Sequence, residues 1–376
     1  MLEQETVKNP QEDEIDGYDD SAGDKAGYPL DSLFIRQETR SVSEVLGRVK
    51  KNRWVLNPDF QRDFVWPTDK QSRLIESCIM RIPLPVFYVA EGPDGEIVIV
   101  DGLQRIATFS RYVNNEFKIQ GVGEEENHES PITGKFFREL PLKLQERILD
   151  TQLIMYILDA NAPERARLDI FERVNSGVPL SRQQMRNAIY SGPATRWLKK
   201  ATESSLFLDA TGHSLNSKNM RDREVVNRFC AFSIFGAEQY RGDMDDFLAR
   251  ALKYMNCPEN EAHLDTLNKG FLMSMKSNRN VFGKHAFRKS LADENSYAKR
   301  STFNISLFDV CAVMLAKFPE EIGHDSALGN NIRNELVQLI QAEGEFWDSI
   351  SYFTSNTKAV KARFTLAEEV LFKHLP

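Results

Sequence analysis

Two Gln-Arg pairs carry the residues best suited to chemistry in this chain. The first stands in Asn57-Pro58-Asp59-Phe60-Gln61-Arg62, the second in Val98-Ile99-Val100-Asp101-Gly102-Leu103-Gln104-Arg105. The second follows an apolar run and an Asp-Gly turn, then opens an amphipathic helix with Ile106, Phe109 and Val113 on one face. Strand, glycine turn and helix start together make an anion site. The first N–H groups of a helix lack internal partners and carry the positive end of its dipole. Arg105 in that first turn would add a fork for two phosphate oxygens; the alternative is an ordinary helix arginine. Gln104 either contacts the ligand or caps the helix. Asp101 either shapes the turn, holds Mg²⁺ or orients a water. Gln61 and Arg62, in a stretch too polar for a core, read as a second clamp, with a structural arginine as the alternative; Trp66 either packs under their loop or stacks on a base. The chemistry expected is the handling of phosphate.

The elements that must position these groups form an α+β pattern. Short strands are expected around Leu33–Ile35, Trp54–Leu56, Val86–Val89 and Glu96–Val100, the last two joined as a hairpin by Pro93-Asp94-Gly95. Ser41…Glu44 and Thr68…Gln71 match capping boxes and open helices; the second sets Leu74, Ile75, Cys78 and Ile79 on one face. Leu153–Leu158 reads as a buried strand, the last clear one. From Pro163 onward the patterning is helical, with a helix ending at Asn175-Ser176-Gly177 and Ser181 capping the next. The expected organisation is an acidic disordered tail at 1–28, a phosphate-binding domain at 29–160 and an all-helical domain at 161–376.

Charge is distributed unevenly. Residues 1–28 hold nine acidic groups against Lys8 and Lys25, which accounts for the whole formal net charge of −7. The remainder is neutral as a whole, so it is not barred from an anionic partner. The tail reads as a solubilising segment, with a nucleic-acid-mimicking inhibitory arm as the alternative. No apolar run approaches the roughly 18 residues of a membrane span, and no signal-peptide pattern opens the chain. Cys78, Cys230, Cys257 and Cys311 form no CxxC pair and no metal spacing; Cys78 and Cys230, on apolar helical faces, read as buried thiols, and a reducing cytoplasm fits.

Phe60-Gln61-Arg62, Phe64-Val65-Trp66 and Asp101-Gly102-Leu103-Gln104-Arg105 give the chain its resemblance. It is similar to the ParB/sulfiredoxin-like domain at the N-terminus of GmrSD-type, modification-dependent restriction endonucleases. Further matches are Gln71-Ser72-x-Leu74-Ile75-Glu76-Ser77, the Ile-Pro-x-Pro at 82–85 and Phe171-Glu172-Arg173-Val174-Asn175-Ser176-Gly177-Val178-Pro179-Leu180. The resemblance implies a small mixed sheet with helices that binds a nucleoside triphosphate with Mg²⁺, or DNA phosphate, between the two motifs. It also implies nucleotide hydrolysis at the Asp-Gly segment and a place in prokaryotic defence against phage and other foreign DNA. Asp101, Gln104 and Arg105 become the catalytic candidates. Gln61, Arg62, Gly102, Arg105, Arg173 and Asn175 become the phosphate-binding ones, although Asn175 also fits a plain helix C-cap. Leu103 replaces the family's first glutamine, and Gln184 stands where relatives often have glutamate. Sulfiredoxins carry a reactive cysteine at this turn; with none here, sulfinic-acid repair is excluded.

Two basic stretches, 182–228 and 273–300, suit salt-dependent DNA-backbone contact or simply a solvated face. Arg182, Arg186, Lys284 and Arg288 are their candidates. His213, His263, His285, His324 and His374 do not form an HNH pattern, and no DxnExK nuclease core, Ser/His/Asp series or Walker loop stands out. The expectation is a stand-alone form acting on nucleotide or DNA, as a weak hydrolase or as a non-catalytic adaptor to a partner nuclease or ATPase chain.

Overall fold

Alternating burial along Gln152–Leu158 explains how the sheet sits. Leu153, Met155 and Ile157 are buried while Gln152 and Ile154 stay exposed, the period-two pattern of a strand with one face on a core. The computed structural model describes residues 15–17, 35–55, 66–92, 95–120, 132–174, 181–217, 219–293, 299–318, 320, 322–323 and 326–373. The chain forms two units, one spanning Tyr28–Ile189 and one built from Tyr190–Pro376 together with Met1–Gly27. Strand β1 (Ile15–Asp16) belongs to the second.

The first unit runs β2 (Ile35–Ser41), α1 (Val42–Lys50), β3 (Trp54–Val55), α2 (Thr68–Ile79), β4 (Phe87–Glu91), β5 (Ile97–Asp101) and α3 (Leu103–Val113). It continues through α4 (Leu142–Leu149), β6 (Gln152–Leu158), α5 (Glu164–Val174) and α6 (Arg182–Ile189). The sheet order is β2-β6-β4-β5-β3. Strands β2–β6 and β4–β5 pair antiparallel, and β6–β4 and β5–β3 pair parallel, so the sheet is mixed. The expected hairpin is the β4–β5 pair, with Ala90 opposite Val98 and Glu91 opposite Ile97. Val42 and Val45 of α1, Leu74 and Ile75 of α2, and Ile106 and Phe109 of α3 close one core over Phe87, Val89, Ile99, Met155 and Ile157.

Half of the first capping box forms: the Glu44 N–H donates to Ser41 Oγ at 3.2 Å, while the Glu44 carboxylate pairs with Arg40 and Arg48. The second box does not form. Pro67 occupies the cap position, so Thr68 is already helical, and Gln71 donates its side-chain amide to the Trp66 carbonyl at 2.5 Å instead.

The division after Ile189 differs from the expected boundary at 160. Helices α5 and α6 belong with the sheet: Arg167 donates to the Glu91 carbonyl at 3.2 Å, and Ala188 packs with Val98 and Leu103. Their helical periodicity resembled that of the later helices, and periodicity says nothing of which core a helix joins.

The second unit contains α7 (Pro193–Thr202), α8 (Ser205–Thr211), α9 (Arg221–Phe235), α10 (Met244–Asn256) and α11 (Glu261–Phe282). After it come β7 (Phe303–Asn304), α12 (Ile305–Leu315), α13 (Ala327–Gln341), α14 (Glu345–Ser351) and α15 (Thr357–Phe372). Helix α12 is buried at every position, as an all-round apolar helix must be. Its single carboxylate, Asp309, is held by Arg228 at 2.9 Å and Arg363 at 3.1 Å. Strand β1 pairs in parallel with β7, so disorder does not extend across residues 15–17 of the tail, and Leu153–Leu158 is not the last strand. Two-residue strands carry no periodic signal. Among the described residues no helix is long and apolar enough to cross a membrane.

Candidate functional site

The Asp101-Gly102 turn is built by a close approach. Strand β5 ends at Asp101, and Gly102 turns the chain into α3 with φ +99°, in the left-handed region that glycine tolerates. A Cβ at Gly102 would lie 2.2 Å from Cδ1 and 2.6 Å from Cε1 of the Phe87 ring. The turn therefore needs glycine twice over, for conformation and for space. Gly102 also brings no side-chain cap to α3, so the helix begins with its first N–H groups unserved by a cap. Those are the ingredients of an anion site.

Arg105 departs from the sequence expectation. Its side chain is 9 % exposed and faces inward. It donates to the carbonyls of Pro85 and of Val86, the latter at 3.1 Å, and to Asp101 Oδ2 at 2.9 Å, with its guanidinium 4.1 Å from the Phe87 ring centroid. Burial pushes its pKa below the ordinary arginine value, and the neighbouring Asp101 carboxylate pulls it back up. The reading of Arg105 as a fork open to phosphate is corrected: it ties the start of β4 to the turn and orients Asp101. Asp101 itself keeps a side chain 36 % exposed, with Oδ2 on Arg105.

Gln104 joins the two motifs. Its Oε1 accepts the Trp66 N–H at 3.1 Å, and Trp66 is the last residue of the Phe60…Trp66 segment. The Trp66 carbonyl takes the Gln71 amide, Gln71 Oε1 takes Arg111 at 2.9 Å, and the indole packs at the edge of the core with Lys70 Nζ 4.4 Å from its ring. The anchor on Gln71 was missed as chemistry, although the residue opens the Gln71-Ser72 motif. Ser72 is buried too, donating to the Thr68 carbonyl at 2.8 Å and accepting the Gln120 N–H at 2.9 Å. Phe87 and the carbonyls of Pro85 and Val86 left no signal that could have found them. Gln61, Arg62 and Asn175 lie outside the described residues.

The other candidates divide by exposure. Arg173 is exposed in the last turn of α5. Arg182 pairs with Asp169 at 2.7 Å and Glu172 at 3.3 Å. Arg186 is 1 % exposed and donates to Gln183 Oε1 at 3.0 Å. Arg288 is also 1 % exposed, bonds the carbonyls of Ala286 and Thr211 at 2.8 Å each, and is pushed down to about 10 by burial and then by Arg300. Arg186 and Arg288 are thus corrected from DNA contacts to internal struts, since a guanidinium's five donors suit it to gathering buried acceptors. Lys284 is exposed.

Gln184 has its own explanation. Its N–H donates to Ser181 Oγ at 3.2 Å, and its Oε1 accepts the Ser181 N–H at 2.7 Å. It completes the capping box of α6, a role glutamate fills equally well.

A cleft of about 480 Å³ in the same unit is lined by Arg81–Leu84 and by Lys143, Arg147 and Asp150, and includes no residue of either motif. Among the described residues no group of three or more His, Cys, Asp or Glu could hold a metal ion.

Among curated proteins none matches the chain. Residues 42–191 match the family described as GmrSD restriction endonuclease, N-terminal domain. That span holds the glycine turn, the Gln104–Trp66 link, the Gln71 anchor and the α6 cap, and so residues 42–191 of this chain are an N-terminal domain of the GmrSD restriction endonuclease family.

Proposed function

We propose that the first unit binds a nucleoside triphosphate at the Asp101-Gly102 turn and serves restriction-like defence against foreign DNA in the cytoplasm. The hydrogen bond from the Trp66 N–H to Gln104 carries the reading. It fastens the end of the first Gln-Arg motif to the uncapped start of α3. Arg62 stands four residues before Trp66, within about 14 Å of extended chain, so its charge can serve the same phosphate. The N–H groups opening α3 would take phosphate oxygens. Asp101, fixed through Oδ2 by Arg105, would offer its exposed edge to Mg²⁺ or to the attacking water. Mg²⁺, when bound, supplies neutralisation of the phosphate charge. Arg105 is a positioning residue in this scheme.

A second reading is a nucleotide-gated adaptor that hands DNA to a partner nuclease. It is favoured by Leu103, whose side chain packs with Val98 and Ala188 where the family has a glutamine. Phosphate release from a nucleotide panel with Mg²⁺, run beside calorimetry, decides between them. Release that Asp101→Asn lowers while binding persists supports the hydrolase. Binding without release supports the adaptor. Failure to bind any nucleotide overturns the proposal.

A further inference from the structure

Residues 15–17 of the acidic amino-terminal segment each meet the helical unit. Ile15 and Asp16 pair in parallel with Phe303 and Asn304. The Asp16 carboxylate accepts from Asn304 Nδ2 at 3.0 Å and faces Lys289 Nζ at 2.9 Å. The Gly17 carbonyl accepts from Thr354 Oγ1 at 2.6 Å. Gly17 adopts φ +73°, and a Cβ there would meet Asn304 Nδ2 and the Ile350 carbonyl at 3.3 Å each. The receiving side is also tied down by bonds of its own. Asn304 is wholly buried, accepts the Leu307 N–H at 2.8 Å as the cap of α12, and donates to Ile350 O at 2.9 Å. Strand pairing gives such a slot affinity, and the carboxylate and glycine contacts give it selectivity.

Charge supplies a consequence. Lys289 belongs to the basic stretch of this unit, where Lys284, Lys299 and Arg300 are exposed while Arg288 is consumed internally. Glu12, Asp13, Glu14, Asp19 and Asp20 lie within four residues of Asp16. An extended chain can carry none of them beyond about 14 Å from that anchor, comparable to the screening length of about 10 Å at ~0.1 M salt. We propose that this slot is a peptide-binding site whose resident ligand is the chain's own Ile15-Asp16-Gly17, and that the docked arm screens Lys284, Lys289, Lys299 and Arg300 from duplex DNA. The site is separate from the Asp101-Gly102 turn and does not depend on its reading.

The test uses the full chain as wild type, Gly17→Val and Asp16→Lys. Hydrogen exchange at 301–307 reports docking, and anisotropy of a labelled DNA duplex at low and high salt reports screening. Both variants are expected to speed exchange there and to tighten DNA binding by about tenfold at low salt, a gain that fades as salt rises. A synthetic peptide of residues 10–22, added to Gly17→Val, is expected to reverse the gain, and a scrambled peptide is not. Unchanged exchange in both variants overturns the slot. Exchange that quickens while DNA binding stays at the wild-type level, including no binding by any of the three, overturns the screening.

Discussion

Each unit holds an arginine–aspartate pair within an otherwise closed interior, and the two differ in what the carboxylate faces. In the sheet unit Arg105 is buried but the Asp101 side chain is 36 % exposed. In the helical unit Asp309 is 0 % exposed and lies between Arg228 and Arg363, and Arg363 also reaches the carbonyls of Ser349 at 3.3 Å and Thr354 at 2.6 Å. Burial pushes Arg363 down to about 10 with Asp309 opposing it. Burial likewise acts on Arg228, but there Asp309 prevails and raises it. A buried ion pair returns little net stability, yet removing one member leaves the other charged and desolvated. The Asp309 cluster therefore closes a core. The Asp101 pair, with one edge in water, can receive a ligand.

The largest effect should come from Asp309→Ala, which strands two guanidinium groups and should cost about 3–5 kcal/mol in urea denaturation. Asp101→Asn should cost no more than about 1 kcal/mol, because its pair is partly solvated and asparagine still accepts. Equal losses at the two positions would break the contrast. Next comes Gly102→Ala. A methyl group pressed on Phe87 and lying 3.2 Å from Arg105 Nη2, in a left-handed alanine, should cost about 3 kcal/mol by the same measurement, with both charges retained. A loss below about 1 kcal/mol would show that Phe87 can yield and that the turn is softer than its geometry.

A smaller effect tests buried cations that lack a carboxylate. His285 lies near Arg288, its Nδ1 2.9 Å from Ser290 Oγ. Burial, then Lys284, Arg333 and Arg288, hold its pKa below the ordinary 6.5. The fold thus keeps the ring neutral. As pH falls through about 6.5 the unfolded chain takes up a proton that the folded chain refuses, so stability drops on the acid side. Urea midpoints at neutral and acid pH should show this loss, and His285→Gln should lessen it. The smallest effect is Gln184→Glu. The capping box survives, and the melting temperature should move by no more than about 0.5 kcal/mol implies.

Much of the fold was legible. Periodicity placed α1, α2, α3 and β6 within a residue or two, and the turn residues Asp94-Gly95 announced the β4–β5 pair, because these signals lie inside the elements they describe. The candidate site was legible only in part. The Asp-Gly turn opening a helix stood out, whereas the roles of its side chains did not. Arg105, Arg186 and Arg288 each read as polar residues on or beside helices, and all three are buried. Domain membership of α5 and α6 was equally silent.

Local pattern was enough for the kind and order of the longer strands and of α1, α2 and α3, though not for α4, β1 or β7. It was also enough for the glycine that must turn the chain at 102 and for the charge gathered at the amino terminus. The fate of each arginine depended on acceptors far along the chain: Pro85 stands 20 residues from Arg105, and Thr211 stands 77 from Arg288. So did the docking of Asp16, whose partner Asn304 is 288 residues away. A hydrogen bond across such a distance leaves no mark on neighbouring residues, and a guanidinium in water and one among carbonyls are the same letter until the chain has folded.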